Sequence, residues 1–370
     1  MTPDQTTPQT LSLAPLRRLK GRGAVSQLAH RFAVDVREVF DDGWNGEGHA
    51  APAPPLTEVR FEDAQSALNA NDSPDIAFKH TVNPYRGCEH GCIYCFARPT
   101  HSYLGWSPGL DFETRLVAKR NIATVLAREL AAPRYQPSML NLGAATDAYQ
   151  PIERALHLTR GVIEVLARAA HPFAVVTKSS GVERDLDLIA PMAAQRLAAV
   201  YVTITTLDAR LARLLEPRAA APQRRLRTIR TLADAGVPVG VSVAPQIPFI
   251  NDDMEQVLTA AHAAGAQSAF YTVLRLPWEV APLFQQWLAA HYPDRAERVM
   301  ARVREMRGGK NYDSRWGQRM HGEGVWADVL HQRFAKTCAR LGLNRERSGI
   351  DLSRFNPAAL RAQRDLFELD

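Results

Sequence analysis

Three cysteines within eight residues constrain this chain more than any other feature. They lie in Asn83-Pro84-Tyr85-Arg86-Gly87-Cys88-Glu89-His90-Gly91-Cys92-Ile93-Tyr94-Cys95-Phe96-Ala97-Arg98-Pro99, with three residues between the first two cysteines and two between the next pair. Gly87 and Gly91 allow backbone conformations that other residues resist. Pro84 and Pro99 bracket the stretch and oppose a regular helix through it. Three clustered cysteines and one distant cysteine, Cys338, do not form a disulfide framework for 370 residues. In a reducing compartment such a cluster binds metal or does redox chemistry. The turn therefore reads as the cradle of an iron–sulfur cluster, and the rest of the chain as its scaffold.

The scaffold shows in the pattern that follows. Short apolar runs at 80–84, 139–144, 173–177, 199–206, 237–244 and 269–276 are rich in Val, Ile, Thr, Phe and Tyr, which suit buried strands. Between them, 119–130, 152–169, 184–194, 222–235 and 252–264 carry apolar residues at helical spacing. Asp252 and Asp253 suit a helix start, and Gly236 and Gly265 suit helix ends. Six strands separated by helices imply right-handed βαβ units and a parallel sheet. Rolled up, this is an α/β fold, a partial (β/α)6 TIM-like barrel, with a doubly wound open sheet as the alternative. In such a barrel the chemistry gathers at the C-terminal ends of the strands. Those ends carry the cysteine loop, Thr146-Asp147, Thr177-Lys178-Ser179, Thr205-Thr206, Pro245-Gln246 and Arg275.

Residues 1–75 read as an N-terminal extension, 76–285 as the barrel and 286–370 as a basic helical C-terminal region. The start of the chain lacks an apolar core ending in a cleavage site, and no apolar run is long enough for a bilayer, so a cytoplasmic protein without a membrane partner is expected. The apolar fraction of 46% suits a substantial core. The formal charge is +6, and residues 294–347 alone hold 13 Lys and Arg against 7 Asp and Glu. A basic segment can contact a polyanion, or can simply be a set of solvated helix faces.

Three chemistries suit the cysteine loop. A zinc site wants four closed ligands, commonly in two spaced pairs, and would have to borrow His90, His101 or Cys338. A Cys92–Cys95 dithiol leaves Cys88 idle. A four-iron cluster on three thiolates uses all three cysteines and leaves one iron open to a small molecule.

With an aromatic before its last cysteine and six β/α units around it, the loop resembles the radical SAM superfamily. Asn83 to Gly91, Thr146-Asp147-Ala148-Tyr149-Gln150-Pro151-Ile152-Glu153, Thr177-Lys178-Ser179 with Arg184-Asp185, and Glu216-Pro217-Arg218 resemble its spore photoproduct lyase-related group. Leu274-Arg275-Leu276-Pro277 and Lys310-Asn311-Tyr312-Asp313-Ser314 fit an uncharacterised, DNA repair photolyase-like branch of that group.

The resemblance implies a [4Fe-4S] cluster on Cys88, Cys92 and Cys95. Its open iron would chelate S-adenosylmethionine, and reductive cleavage would give a 5′-deoxyadenosyl radical that takes a substrate hydrogen. It implies Tyr94 against the adenine, Thr146 and Asp147 near the amino group, Lys178 near the carboxylate and Thr203 or Thr205 near the ribose. Glu216 and Arg218 would lie near cofactor or substrate. An external electron donor of flavodoxin or ferredoxin type is expected, and a nucleic acid is the favoured substrate class. The alternatives are the same radical chemistry on a protein or small molecule, or an iron–sulfur or zinc module without catalysis. Spore photoproduct lyase uses a donor cysteine just before the Thr/Ser-bearing stretch, whereas this chain has Asn141-Leu142-Gly143-Ala144-Ala145-Thr146. That departure argues against the lyase reaction itself. Cys338, in a helical pattern, reads as a small buried residue.

Overall fold

A computed structural model describes residues 18–33, 56–345 and 349–361. The six expected strands are present as β3 (His80–Val82), β6 (Leu140–Leu142), β7 (Phe173–Thr177), β8 (Ala198–Thr203), β9 (Val239–Gln246) and β10 (Ser268–Val273). They lie side by side in one parallel sheet, in chain order, with the short β2 (Leu68–Ala70) added antiparallel to β3. The sheet does not close, since β2 and β10 are its two edges. A partial (β/α)6 barrel is therefore the architecture. Helices cross between the strands, and β7 and β9 are buried along nearly their whole length, as parallel strands covered on both faces must be.

A second, smaller sheet was not anticipated. It joins β1 (Glu58–Glu62), β5 (Arg115–Lys119) and β4 (Tyr85–Arg86). Two of its strands alternate or border charged residues, EVRFE and RLVAK, and a two-residue β4 carries no period at all. The cysteine loop leaves this sheet, since it begins directly after Arg86 at the end of β4. Both β1 and β2 arise from the stretch that reads as an extension. Residues 1–17 and 34–55 of that stretch lie outside the described residues.

The helix ends follow the expected chemistry in part. Gly236 and Gly265 take positive φ after their helices. Asp253 stands at the start of Met254–Ala263 but does not cap it. Its carboxylate instead accepts from Thr206 Oγ1 at 2.9 Å and Leu207 N at 2.7 Å, tying two strand ends together.

The C-terminal helices Val280–His291, Pro293–Glu305 and Val325–Leu341 pack on the barrel. Asn344 covers the β10 edge, bonding Ala269 N at 2.9 Å and Ala269 O at 3.0 Å as a strand neighbour would. Cys338 is buried in the main core. Among the described residues no helix is long and apolar enough to cross a membrane.

Candidate active site

The cysteine loop is held by backbone contacts on every side. Cys88 N donates to Phe112 O at 2.9 Å and Ile93 N to Leu215 O at 3.1 Å. Gly87 has φ +79°, and a Cβ there would lie 2.9 Å from the Phe112 carbonyl and 2.8 Å from Leu116. Only glycine fits that approach. Gly23 comes from far up the chain, and a Cβ there would overlap the Gly91 carbonyl oxygen.

The loop's carbonyls meet a fully buried arginine. Arg98 donates to Cys92 O at 2.9 Å, Gly91 O at 3.1 Å, Pro108 O at 3.1 Å and Gly109 O at 2.9 Å. It also pairs with buried Glu113. The Glu113 carboxylate accepts from Gly23 N at 2.9 Å and Ala24 N at 2.8 Å. One ion pair thus joins the cysteine turn, its supporting segment and the N-terminal strap. Buried ion pairs persist only when their remaining hydrogen-bonding capacity is used.

The sequence-expected residues sort into three places. Thr146 and Asp147 bind the loop from the β6 end. Thr146 Oγ1 donates to Gly87 O at 2.6 Å and accepts from Gln150 Nε2 at 3.0 Å. Asp147 accepts from Thr177 Oγ1 at 2.7 Å, Lys178 N at 2.8 Å and Tyr149 N at 2.9 Å. His90 Nδ1 lies 3.2 Å from it, off the line of a hydrogen bond. Burial opposes the charge on Asp147, but His90 and these donors outweigh it and hold the carboxyl well below its usual range.

The second place lies between the ends of β7 and β8. Tyr94 OH donates to Glu216 and sits 3.2 Å from Thr205 Oγ1. Thr205 Oγ1 also donates to Glu216, and buried Arg225 pairs with the same carboxylate. Arg225 further bonds Thr203 O at 3.0 Å, so Thr203 joins through its backbone. Lys178 Nζ lies 5.9 Å from the centre of the Tyr94 ring. Burial lowers the Lys178 pKa, but Cys92, Glu216 and Asp147 raise it further, and it stays charged.

Arg218 is in the third place, on the outer side of the loop. It pairs with Glu89 at 3.0 Å, and Glu89 also accepts from Thr57 at 2.9 Å.

Sequence reasoning gave no role to Gln150 or Arg98, though both lie in the quoted motifs, nor to Glu113, Gly23 and Arg225. Arg98 could have been suspected, as a charge inside the loop stretch itself. The others are brought in by tertiary contact alone.

Residues 82–261 match the family described as the radical SAM superfamily. An uncharacterised protein of Mycobacterium tuberculosis is 38% identical over 260 residues, covering 69% of this chain and 75% of that one. The chain belongs to the radical SAM superfamily. A second relative, an uncharacterised protein of Methanocaldococcus jannaschii, is 26% identical over 237 residues, covering 63% of this chain and 83% of its own. A single mutant of spore photoproduct lyase has the same fold at TM-score 0.54 and 15% identity, covering 77% of this chain and 80% of that one. A double mutant of that lyase with bound AdoMet and dinucleoside spore photoproduct gives TM-score 0.52 at 14% identity, with the same coverage.

The protein is therefore an enzyme of the radical SAM class, and that class implies a [4Fe-4S] cluster, S-adenosylmethionine and an external reductant. The loop's own chemistry fits such a cluster. Burial raises the Cys88 thiol well above its ordinary pKa, and Asp147, Cys92 and Cys95 raise it further. Burial likewise takes Cys92 to about 12 against the pull of Lys178, with Glu216 and Cys95 adding to the rise. Thiols that resist ionising because they are buried and face one another suit a bound positive centre that offsets the charge. Among the described residues no three His, Cys, Asp or Glu side chains close on a single ion. A cluster spreads its ligands over separate irons and does not need that convergence.

Proposed function

We propose that Cys88, Cys92 and Cys95 ligate a [4Fe-4S] cluster and that S-adenosylmethionine binds beside it, on the side of Tyr94 and Lys178. When bound, the cluster supplies the electron that splits the cofactor to methionine and a 5′-deoxyadenosyl radical. Lys178 lies on that side and offers a partner for the cofactor's carboxylate. Tyr94, fixed by Glu216 and Thr205, offers a rigid aromatic face for the adenine. Thr146, Asp147 and Gln150 hold the loop so that its three sulfurs keep their spacing. Thr203 and Thr205 flank the ribose side, Glu216 fixes the aromatic, and Arg218 stabilises the loop's outer face through Glu89.

The single observation that carries this reading is the three-cysteine turn clamped at the strand ends of a partial barrel in a radical SAM chain. The radical would take a hydrogen atom from a substrate for which a nucleic acid is the favoured class. The reaction takes place in the cytoplasm with a flavodoxin- or ferredoxin-type donor. The stretch before Thr146 has no cysteine, so the lyase reaction of spore photoproduct is not proposed. Anaerobic reconstitution with iron and sulfide tests the reading. A loaded protein that forms 5′-deoxyadenosine from S-adenosylmethionine under dithionite supports it, and a protein that takes up no iron and sulfide rejects it.

A further inference from the structure

Two arginines at the end of β10 have no carboxylate partner among the described residues. Arg275 follows the strand by two residues, is half-buried, and its guanidinium lies 4.8 Å from the Phe96 ring. Phe96 directly follows Cys95 and is 48% exposed. Among the described residues the Arg275 side chain bonds Met320 Sδ alone, at 3.5 Å, and its buried Nε has no partner. Arg307 is 1% exposed. It donates to Gln318 O at 2.6 Å and Leu274 O at 2.8 Å, so it reaches the residue next to Arg275, and its Nε too is buried without a partner.

The nearby acids do not neutralise this pair. Asp75 feels the Arg275 charge but bonds Arg319 and Gly317 N. Asp313 and Glu323 both pair with Arg315. Burial brings the Arg307 pKa down to about 10; Arg275 pulls the same way, while Tyr312, Asp313 and Glu323 push back. Two neighbouring guanidinium groups, each with a buried unused donor, are costly without an anion. Their place at a strand's C-terminal end, beside the cysteine loop, is where a barrel meets its substrate.

We propose that Arg275 and Arg307 form a binding site for a phosphate group of the substrate. Paired guanidinium groups match the oxygens of a phosphate, which a single ammonium does less well. The site also gives a use to the stretch Leu274 to Pro277, which the cluster chemistry leaves idle. Calling the phosphate a substrate group rests on the radical reading above, but the binding itself does not.

Titration calorimetry on the reconstituted full-length protein, without reductant and at constant ionic strength, tests it with three probes. These are inorganic phosphate, a mononucleotide and a short single-stranded oligonucleotide. Arg275→Gln weakens binding of each by about tenfold or more, Arg275→Lys recovers part of the loss, and Arg298→Ala changes nothing. Arg298 serves as the control because its guanidinium lies 4.0 Å from the Phe249 ring. Tighter binding of the oligonucleotide than of the mononucleotide identifies a nucleic-acid backbone as the source, and equal binding identifies a phosphorylated small molecule. Either supports the site. Equal affinity in wild type and Arg275→Gln overturns it, as do an equal loss in Arg298→Ala, millimolar or no binding of all three probes, or displacement of phosphate by S-adenosylmethionine. Loss of reductive cleavage in the wild type would sink the radical reading and leave these titrations unaffected.

Discussion

Arg98 is the support whose removal is felt most in the cysteine loop. Its side chain is wholly buried, bonds four carbonyls, two of them in the loop, and neutralises buried Glu113. Arg98→Met keeps most of the volume and removes every one of these donors. Breaking a buried pair by deleting one partner costs about 3–5 kcal/mol, since the other charge is stranded. The carbonyls left without donors add to this, so a loss of about 4 kcal/mol is a conservative expectation. Against a typical total of about 5–15 kcal/mol it is a large fraction. In urea denaturation of the metal-free protein the midpoint falls by on the order of 1 M or more. The companion Glu113→Gln removes the stranded charge, so the double variant is more stable than the sum of the single losses by about 1–3 kcal/mol. The same variant loads less iron after reconstitution, because the Gly91 and Cys92 carbonyls are no longer fixed. An Arg98→Met variant within 1 kcal/mol of wild type, or strictly additive double-variant losses, would refute the reasoning.

Other outcomes follow from the same structure. Gly23→Ala places a Cβ on the Gly91 carbonyl; it costs about 2 kcal/mol or more and lowers the iron content, read by denaturation and metal analysis. His101 and His171 are held near 4 by burial, with their backbone acceptors pulling weakly the other way. Because the unfolded chain takes up these protons near 6.5, stability is full above that pH and falls as pH drops from 6.5 toward 4. Each histidine contributes about 3 kcal/mol to the fall. His171→Gln flattens its share in a pH series of denaturation midpoints, and an unchanged slope would count against the assignment. Lys178→Met weakens binding of S-adenosylmethionine by about tenfold in equilibrium dialysis against the loaded protein. Unchanged affinity would place the carboxylate elsewhere.

The six barrel strands were legible because parallel strands covered on both faces must be nearly continuous apolar runs, as in Phe173–Thr177 and Val239–Gln246. The small sheet was not, because β1 and β5 mix charged and apolar residues and β4 has two residues. Lys119, which reads as the start of a helix, ends β5 instead. The cysteine loop was legible from spacing alone, since its ligands are local. Its supports were not, because Glu113 meets Gly23 across 90 residues and Gln150 meets Glu89 across 61.

The aromatic side chains also divide by burial. Phe112 and Tyr149 are core, while Tyr103 and Trp316 are exposed. The excess positive charge of 294–347 suggested a polyanion surface, yet three of its arginines have partners within the chain. Arg298 lies over Phe249, Arg302 pairs with Glu305, and Arg304 reaches Glu297 and Asn311. Charge counted along a sequence does not show which of its cations are held within the chain.

The functional reading depends on Cys88, Cys92 and Cys95 together holding the cluster that cleaves S-adenosylmethionine. Electron paramagnetic resonance of the dithionite-reduced, reconstituted protein tests it most directly, with and without S-adenosylmethionine. A reduced [4Fe-4S] signal that changes on adding the cofactor, and is absent from Cys88→Ala, Cys92→Ala and Cys95→Ala, is the expected result. A signal that survives in any of the three variants, or one that ignores the cofactor, would contradict it.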